Sequence, residues 1–381
     1  MKTGKIGITA RQPRPIAIIA GSRTPFVKSF TNYSRTSNQQ LMTATVRDLV
    51  QKTGLQGQRL GDVALGAVMK NASDWNMSRE TVLGSGLNPH TPGYDVQRAC
   101  GTGLETAWHI GLKIAAGQIE SGIAGGTDTN SDIEGVFSHE FSWLMMEAQK
   151  EKTLLGRLKK FSELKLKDLK PKFPAAVEPR TGLSMGQHTE LMVKEWGITR
   201  EAQDQLAFES HQKAEKAYQA GFFNDLILEF KGIKKDTIVR GDTTLEKLAK
   251  LKPAFDFSGA GTLTAGNSTA LTDGASAVLL GSEEFAKEHN LPVLAHLVDV
   301  EVAAVDYVAG EGLLIAPTYA VSRMLRRNNL TLQDFDFYEI HEAFAGQVLC
   351  TLKAWESDDY CRQRLGESKA LGSIDRAKMN I

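Results

Sequence analysis

The sequence predicts an α/β fold in which helices cover a mainly parallel sheet, interrupted by an insertion of different texture. Three observations predict it. Strand-like and helix-like stretches alternate through the first 130 residues and again over 258–381. Between them, 131–257 is rich in Lys and Glu, carries amphipathic helical stretches and reads as an inserted domain. The two alternating regions also echo each other. Each runs helix, then a turn residue and Leu (Gly54-Leu55, Asn329-Leu330), then a short spacer, an Asp (Asp62, Asp336) and a strand-like run. Two similar βαβ-type halves are therefore expected, divided as 14–130 plus 258–281, the insertion 131–257, and 282–381.

The elements follow in order. Pro15–Ala20 is short and β-branched, as a strand should be. Residues 40–52 place Leu41, Ala44, Thr45, Leu49 and Val50 at helical spacing. Val63–Val68 is a continuous apolar run, the pattern of a strand buried on both faces. Tyr94-Asp95-Val96 is a short strand, and 102–117 a helix with Leu104, Ala107, Gly111, Ile114 and Ala115 inward. Gly122–Gly126 is another buried strand, and Arg200–Ala217 lies in a clear helix over 200–220. Ala275–Leu280, Pro292–Val300 and Phe337–Ile340 read as strands, with a helix over 317–328.

Composition excludes several classes. The chain has 381 residues, with 45 Lys plus Arg against 45 Asp plus Glu, which argues against a dedicated nucleic-acid binder. Hydrophobic residues at 41% and charged residues at 24% suit a globular protein with a large core. No apolar run approaches the roughly 18 residues that span a membrane. Three cysteines (Cys100, Cys350, Cys361), odd in number and sparse for the length, argue against a disulfide framework, so a reducing compartment is expected. No CxxC or HExxH occurs, so no metal site is expected. Residues 1–47 hold eight Lys or Arg and no acid, which resembles an organelle transit segment. Only a short stretch precedes the first strand, so a cytoplasmic location is expected, with a mitochondrial one as the alternative.

Three segments carry chemistry. In Gln97–Leu104, Cys100 sits between a strand and a helix start, where the helix dipole and free N–H groups favour a thiolate. Gly101 and Gly103 would let the chain turn tightly and a bulky substrate approach, and the Cys100 N–H could hold an oxyanion. That arrangement suits acyl transfer through a thioester; the plain alternative is a small buried cysteine at a helix start. His341-Glu342-Ala343-Phe344 follows a strand, where open α/β sheets place ligands, although a helix cap reads equally well. Thr264–Ala275 crowds small and hydroxyl residues into a loop that could press its backbone against a long thin ligand. Separately, 150–172 holds nine Lys or Arg against three acids, with Leu154, Leu158, Phe161 and Leu164 at helical spacing. Such a stretch is a solvated helix face or a contact for an anionic membrane surface or partner.

Together these segments resemble the thiolase family. The resemblance runs from Arg14-Pro15 to the C-terminus, through Arg23-Thr24-Pro25-Phe26, Ala99–Gly103, Ala124–Asp128, Ser184-Met185-Gly186, Ile198–Asp204, Lys252–Phe255 and Thr264–Ala275. His341-Glu342-Ala343-Phe344, where many thiolases have Asn in place of His341, is similar to the thiolase subunit of fatty-acid β-oxidation complexes. The resemblance implies two βαβαβ halves in α/β/α/β/α layers and thiolysis of 3-ketoacyl-CoA by CoA. Cys100 would take the acyl chain and His341 would place a water near the enolate. Met185, Ser268, Thr269, Ala343 and Phe344 would line the pantetheine channel. Coenzyme A would be a substrate and no bound cofactor is implied. A homodimer is implied, with a hydratase/dehydrogenase subunit as a further partner.

The family's GHPxGxxG histidine and CxGGG cysteine motifs do not occur in these 381 residues. The second half also lacks a counterpart of the Cys100 helix and the strand after it. The expectation is a fragment or truncated product that is a poor thiolase alone, with apolar surface and a sheet edge left open. The competing readings are a non-catalytic thiolase-like subunit and a CoA-linked condensing enzyme.

Overall fold

The computed structural model describes residues 13–174 and 176–381; most of the basic stretch ahead of Pro15 lies outside them. The chain runs β1 (Ala17–Arg23), β2 (Val27–Lys28), α1 (Asn38–Lys52), β3 (Asp62–Gly66), α2 (Met77–Ser85), β4 (Gly93–Val96), α3 (Thr102–Ala115) and β5 (Ser121–Asp128). Helices α4 (His139–Lys150), α5 (Leu154–Phe161), α6 (Met185–Glu195), α7 (Arg200–Gln219) and α8 (Leu245–Ala249) follow. The chain then returns as β6 (Thr272–Gly281), α9 (Glu283–Glu288), β7 (Ala295–His296), α10 (Ala316–Asn328) and α11 (Ala345–Glu356).

The strands form one sheet in the order β4-β3-β5-β6-β1-β7, with β2 paired to the start of β6. It is mixed rather than mainly parallel. β3 pairs in parallel with β4 and β5, while β5–β6, β6–β1 and β1–β7 are antiparallel. The parallel strands come from βαβ crossovers; β6 returns from the insertion at the opposite end and so runs the other way. One apolar layer joins α1 and α2 to the sheet through Leu41, Leu49, Val63, Leu65 and Met77. A second, built on Ile110, Ile114, Ala124 and Leu280, seats α3 on the other face. Each fully buried side chain of this size contributes about 1.5–3 kcal/mol.

Helix α3 buries Gly111 and Ile114 as expected, with Ala107 and Ala115 half-buried against the same apolar cluster. Its fully buried residues also include Thr102, Glu105, Thr106 and Ile110. Leu104 alone of the expected set faces out, at 73% exposed. Two expected strands also shrink. Of Pro292–Val300 only Ala295–His296 pairs, because β1 offers it partners at Ala17 and Ile18 alone. Phe337–Ile340 finds no strand neighbour and makes a single bridge, Tyr338 to Met379.

The internal echo is real at the helix ends. Gly54 (φ 67°) and Asn329 (φ 54°) both close their helices in the left-handed region. The next N–H reaches back in the same way, Leu55 to the Val50 carbonyl at 3.0 Å and Leu330 to the Leu325 carbonyl at 2.9 Å. After Gly54 the chain enters β3; after Asn329 it enters the unpaired Phe337–Ile340 segment, and no second sheet forms among the described residues.

Candidate active site

Strands β3, β4 and β5 end together at Gly66, Val96 and Asp128, and the antiparallel register sets Gly274 of β6 beside Asp128. This is the edge where open α/β sheets hold ligands. The chain leaves β4 into a tight turn, Gln97–Gly101, that carries Cys100 to the start of α3. The Gly101 N–H donates to the Arg98 carbonyl at 2.9 Å. The Arg98 N–H donates to Thr102 Oγ1 at 2.8 Å, and that hydroxyl donates to the Ala99 carbonyl at 2.7 Å.

The strained residue of this turn is Ala99, with φ 42°, and neither glycine. Gly101 is the helix N-cap at φ −87°. Gly103 has open space where a Cβ would stand, which leaves room for a substrate at that face. The glycine that packing demands is Gly66, whose Cβ would meet the Val96 carbonyl oxygen at 1.9 Å and Thr102 Cγ2 at 2.5 Å.

Cys100 is exposed, whereas Cys350 and Cys361 are buried. Burial pushes the Cys350 thiol up to about 12. Cys361 Sγ donates to the Ala354 carbonyl at 3.5 Å. The expectation of a depressed thiol at Cys100 is not met. Partial desolvation of the sulfur and the nearby Asp128 charge both push it up, against its own backbone N–H. Desolvation of the sulfur is the larger cause, and Cys100, which precedes the Gly101 N-cap, stands outside the helix itself. The neighbouring cation does not help either, since Arg98 Nε pairs with Glu105 at 2.8 Å. Asp128 is a site residue that motif reading passed over as a strand end. Burial raises its carboxyl to about 6, and the backbone N–H groups of Val68 (2.9 Å) and Met69 (3.2 Å) hold it in place.

The predicted channel residues meet in a clamp of two segments. The Thr269 N–H donates to the Ala343 carbonyl at 2.8 Å and the Ala345 N–H to the Asn267 carbonyl at 3.0 Å. Ser268 bridges Phe344 antiparallel. Phe344 packs in an apolar cluster with Leu263, Phe255, Ala343 and Met185, the last at the start of α6 where Ser184 caps the helix. Met185, Ser268, Thr269, Ala343 and Phe344 are thus brought together. Two buried acids hold the loop from below. Glu190 of α6 accepts from the Thr262 and Leu263 N–H groups at 2.9 and 2.8 Å, and Asp204 of α7 accepts from Asn267 Nδ2 at 2.9 Å.

His341 is exposed at the rim of this clamp. Its neighbour Glu342 is held by Ser210 Oγ of α7 at 2.5 Å. Two surface hollows, one by Ile198, Leu352 and Arg376 and one by Trp143 and Lys167, contain neither Cys100 nor His341. The site is a rim at the strand ends, located by its reacting groups. Among the described residues no cluster of His, Cys, Asp or Glu could hold a metal.

Arg23-Thr24-Pro25-Phe26 plays a supporting part. Arg23 pairs bidentately with Asp236 at 2.7 and 3.0 Å, and Asp236 also accepts the Phe26 N–H at 2.6 Å, tying β1 to the insertion. The basic stretch forms α5, none of whose residues is buried; Leu154, Leu155 and Leu158 are exposed.

Comparison with known proteins agrees with this geometry. The family model for the thiolase N-terminal domain matches residues 16–284 and that for the thiolase C-terminal domain matches 291–375. A 3-ketoacyl-CoA thiolase of Yersinia enterocolitica is 39% identical over 380 residues, covering 98% of this chain and 86% of that protein. Among solved structures, the Bacillus anthracis acetyl-CoA acetyltransferase superposes with TM-score 0.78 at 28% identity, over 97% of this chain and 86% of the other. Human mitochondrial 3-ketoacyl-CoA thiolase in complex with CoA gives TM-score 0.77 at 25% identity, over 97% and 85%.

Proposed function

The chain belongs to the thiolase family, and from that premise we propose that it transfers acyl groups from 3-ketoacyl-CoA to CoA through a thioester on Cys100. The observation that carries this is the placement of one exposed cysteine on a strained turn where three parallel strands end, while the other two cysteines are buried. The Cys100 sulfur attacks the 3-keto carbon and the C2–C3 bond breaks. Its thiol proton passes to C2, and acetyl-CoA leaves. The CoA thiol then attacks the thioester, acyl-CoA leaves, and the CoA proton returns to Cys100.

In this reading His341 places a water near the enolate. Met185, Ser268, Thr269, Ala343 and Phe344 line the path of the pantetheine arm, supported by the Thr269–Ala343 clamp. CoA is substrate rather than resident cofactor. The division 14–130 plus 258–281, 131–257 and 282–381 goes with it. So do a cytoplasmic location, a homodimer, for which β4 at the sheet edge offers a strand, and a hydratase/dehydrogenase partner. The exposed apolar and basic side chains of α5 support a contact there with that partner or an anionic membrane surface.

Intact-mass spectrometry after exposure to a long-chain 3-ketoacyl-CoA tests the reaction. The expected result is one acyl adduct on the Cys100 peptide, discharged by added CoA and missing in Cys100→Ser. No adduct on Cys100 rejects the proposal, and an adduct that CoA leaves in place rejects the thiolysis step.

A further inference from the structure

We propose that Glu105 is a positioning residue for the nucleophile turn: its carboxylate grips the Arg98 guanidinium and, through Arg98, fixes the backbone that presents Cys100. Glu105 lies in the first turn of α3 and is 8% exposed. Both of its oxygens face one guanidinium, with Arg98 Nε 2.8 Å from Oε2 and Nη2 3.2 Å from Oε1. Two such bonds fix the plane of an arginine, where a single contact leaves it free to turn. Arg98 is also tied at its backbone. Its N–H donates to Thr102 Oγ1 at 2.8 Å, and its carbonyl accepts the Gly101 N–H at 2.9 Å. Cys100 lies inside both closures, so the residue that Glu105 grips is the one onto which the turn folds back. Ala99, at φ 42°, sits in a region that a residue with a side chain keeps only where its surroundings impose it.

Glu105 is itself held from behind. His109, one helical turn on, places Nε2 3.1 Å from Glu105 Oε1. Its ring stacks on Tyr94 of β4, with centroids 6.2 Å apart and planes 22° apart. Lys113, a further turn on, lies 4.4 Å from the centre of the Tyr94 ring and pairs with Asp62 at the start of β3. Residues 105, 109 and 113 follow one another at i, i+4 and i+8, so they form one stripe along α3. That stripe joins the helix to β4 and β3 and gives the grip on Arg98 a fixed base. An acid in a first helical turn is favoured by the helix dipole alone. The dipole does not require a two-point hold on a side chain that precedes the helix, and here that side chain belongs to the turn of the nucleophile.

The inference rests on the proposed thioester chemistry only for what the turn is for, so its test reads the turn first. Amide exchange is measured in the full chain at Gly101 and Thr102, whose N–H groups close onto the Arg98 and Ala99 carbonyls. The proteins compared are wild type, Glu105→Gln, Arg98→Met and the double variant. Each single variant is expected to speed exchange there by about tenfold or more. The double variant is expected to go no further than either single one, because Glu105 acts through Arg98. Arg98→Lys keeps a cation within reach of Glu105 and is expected to restore most of the protection that Arg98→Met loses. That pair carries the test should Glu105→Gln fail to fold. Acylation of Cys100 by a 3-ketoacyl-CoA is then followed in the same proteins. Its maximal rate is expected to fall by about tenfold with the half-saturating concentration unchanged, since the brace aims the sulfur and binds no substrate. Exchange that stays slow in the single variants overturns the proposal. So do effects of Glu105→Gln and Arg98→Met that add in the double variant, and an acylation defect confined to the half-saturating concentration. A wild type that is never acylated rejects the thioester chemistry, and the exchange result then decides the brace alone.

Discussion

The backbone N–H of Thr269 donates to the carbonyl of Ala343 at 2.8 Å, joining the loop ahead of β6 to the segment that leads into α11. Neither residue has a side chain specific enough to force this contact. The register comes from Asn267, whose Oδ1 takes the Thr264 N–H at 2.7 Å and whose Nδ2 reaches Asp204 and the Thr262 carbonyl. Asn267 is 3% exposed, so its groups have no water to replace these partners. Asn267→Ala is expected to lose on the order of 2–4 kcal/mol, from unpaired buried polar groups left on both sides. Urea unfolding measures this, and a loss under about 1 kcal/mol would show that the clamp holds itself.

Cys100 presents the opposite case. Its side chain is exposed and supports nothing, so Cys100→Ala is expected to change stability by less than about 0.5 kcal/mol while removing all acyl adduct. Paired melting curves and intact-mass spectra separate the two effects. A large fall in melting temperature would mean that the turn depends on the sulfur.

Gly66→Ala acts on the same turn from beneath. The new Cβ would stand 1.9 Å from the Val96 oxygen, a backbone atom that cannot rotate away. β4 must shift, and the cost is expected to exceed the about 1–3 kcal/mol of ordinary overpacking. Iodoacetamide labelling of Cys100 in the folded variant should change as well, because Val96 feeds the turn. Unaltered stability together with unaltered labelling would contradict the packing described here.

Much of this was legible in the sequence, for physical reasons that differ by element. α1 announces itself through the apolar spacing of Leu41, Thr45, Leu49 and Val50, all of which the structure buries. Cys100 was findable because a cysteine between a strand and a helix start, flanked by glycines, is a strong local pattern. The ionisation of Cys100 was not, because it depends first on how far the fold desolvates the sulfur and then on Asp128, which arrives from β5. The strands over Pro292–Val300 and Phe337–Ile340 failed for a related reason: β propensity is satisfied only where a neighbour supplies a ladder, and here the neighbours are few. Leu104 failed because an apolar residue at a plausible spacing can still miss the stripe set by Thr106, Ile110 and Ile114.

The insertion is fastened to the sheet by Arg23 and Asp236, with side chains only 10% and 11% exposed. Removing one partner of such a pair leaves a buried charge alone, at a cost of about 3–5 kcal/mol. Asp236→Ala also strands the Phe26 N–H. It is expected to loosen the junction between 23–28 and 236–237, read as faster amide exchange there than in the strands β3 and β5. Exchange that stays slow at Phe26 would argue that the stacking of Arg23 on Phe26 and Phe223 suffices.

Asp128 makes a prediction about stability. Its folded carboxyl titrates at about 6, above the roughly 3.9 of an unfolded aspartate. Between those values the folded chain keeps a proton that the unfolded chain has released. The contribution to folding is therefore fully present below about pH 4 and is lost as pH rises through about 6. Asparagine carries no such proton and can still accept from Val68 and Met69. Relative to wild type, Asp128→Asn should thus gain stability as pH rises, by at most about 2–3 kcal/mol from pH 4 to pH 7. Denaturant unfolding of both proteins at pH 5 and pH 7.5 isolates the effect, since every other group titrates in both. A difference between them that stays constant or shrinks over that interval would mean that Asp128 ionises normally and that its burial is relieved by water.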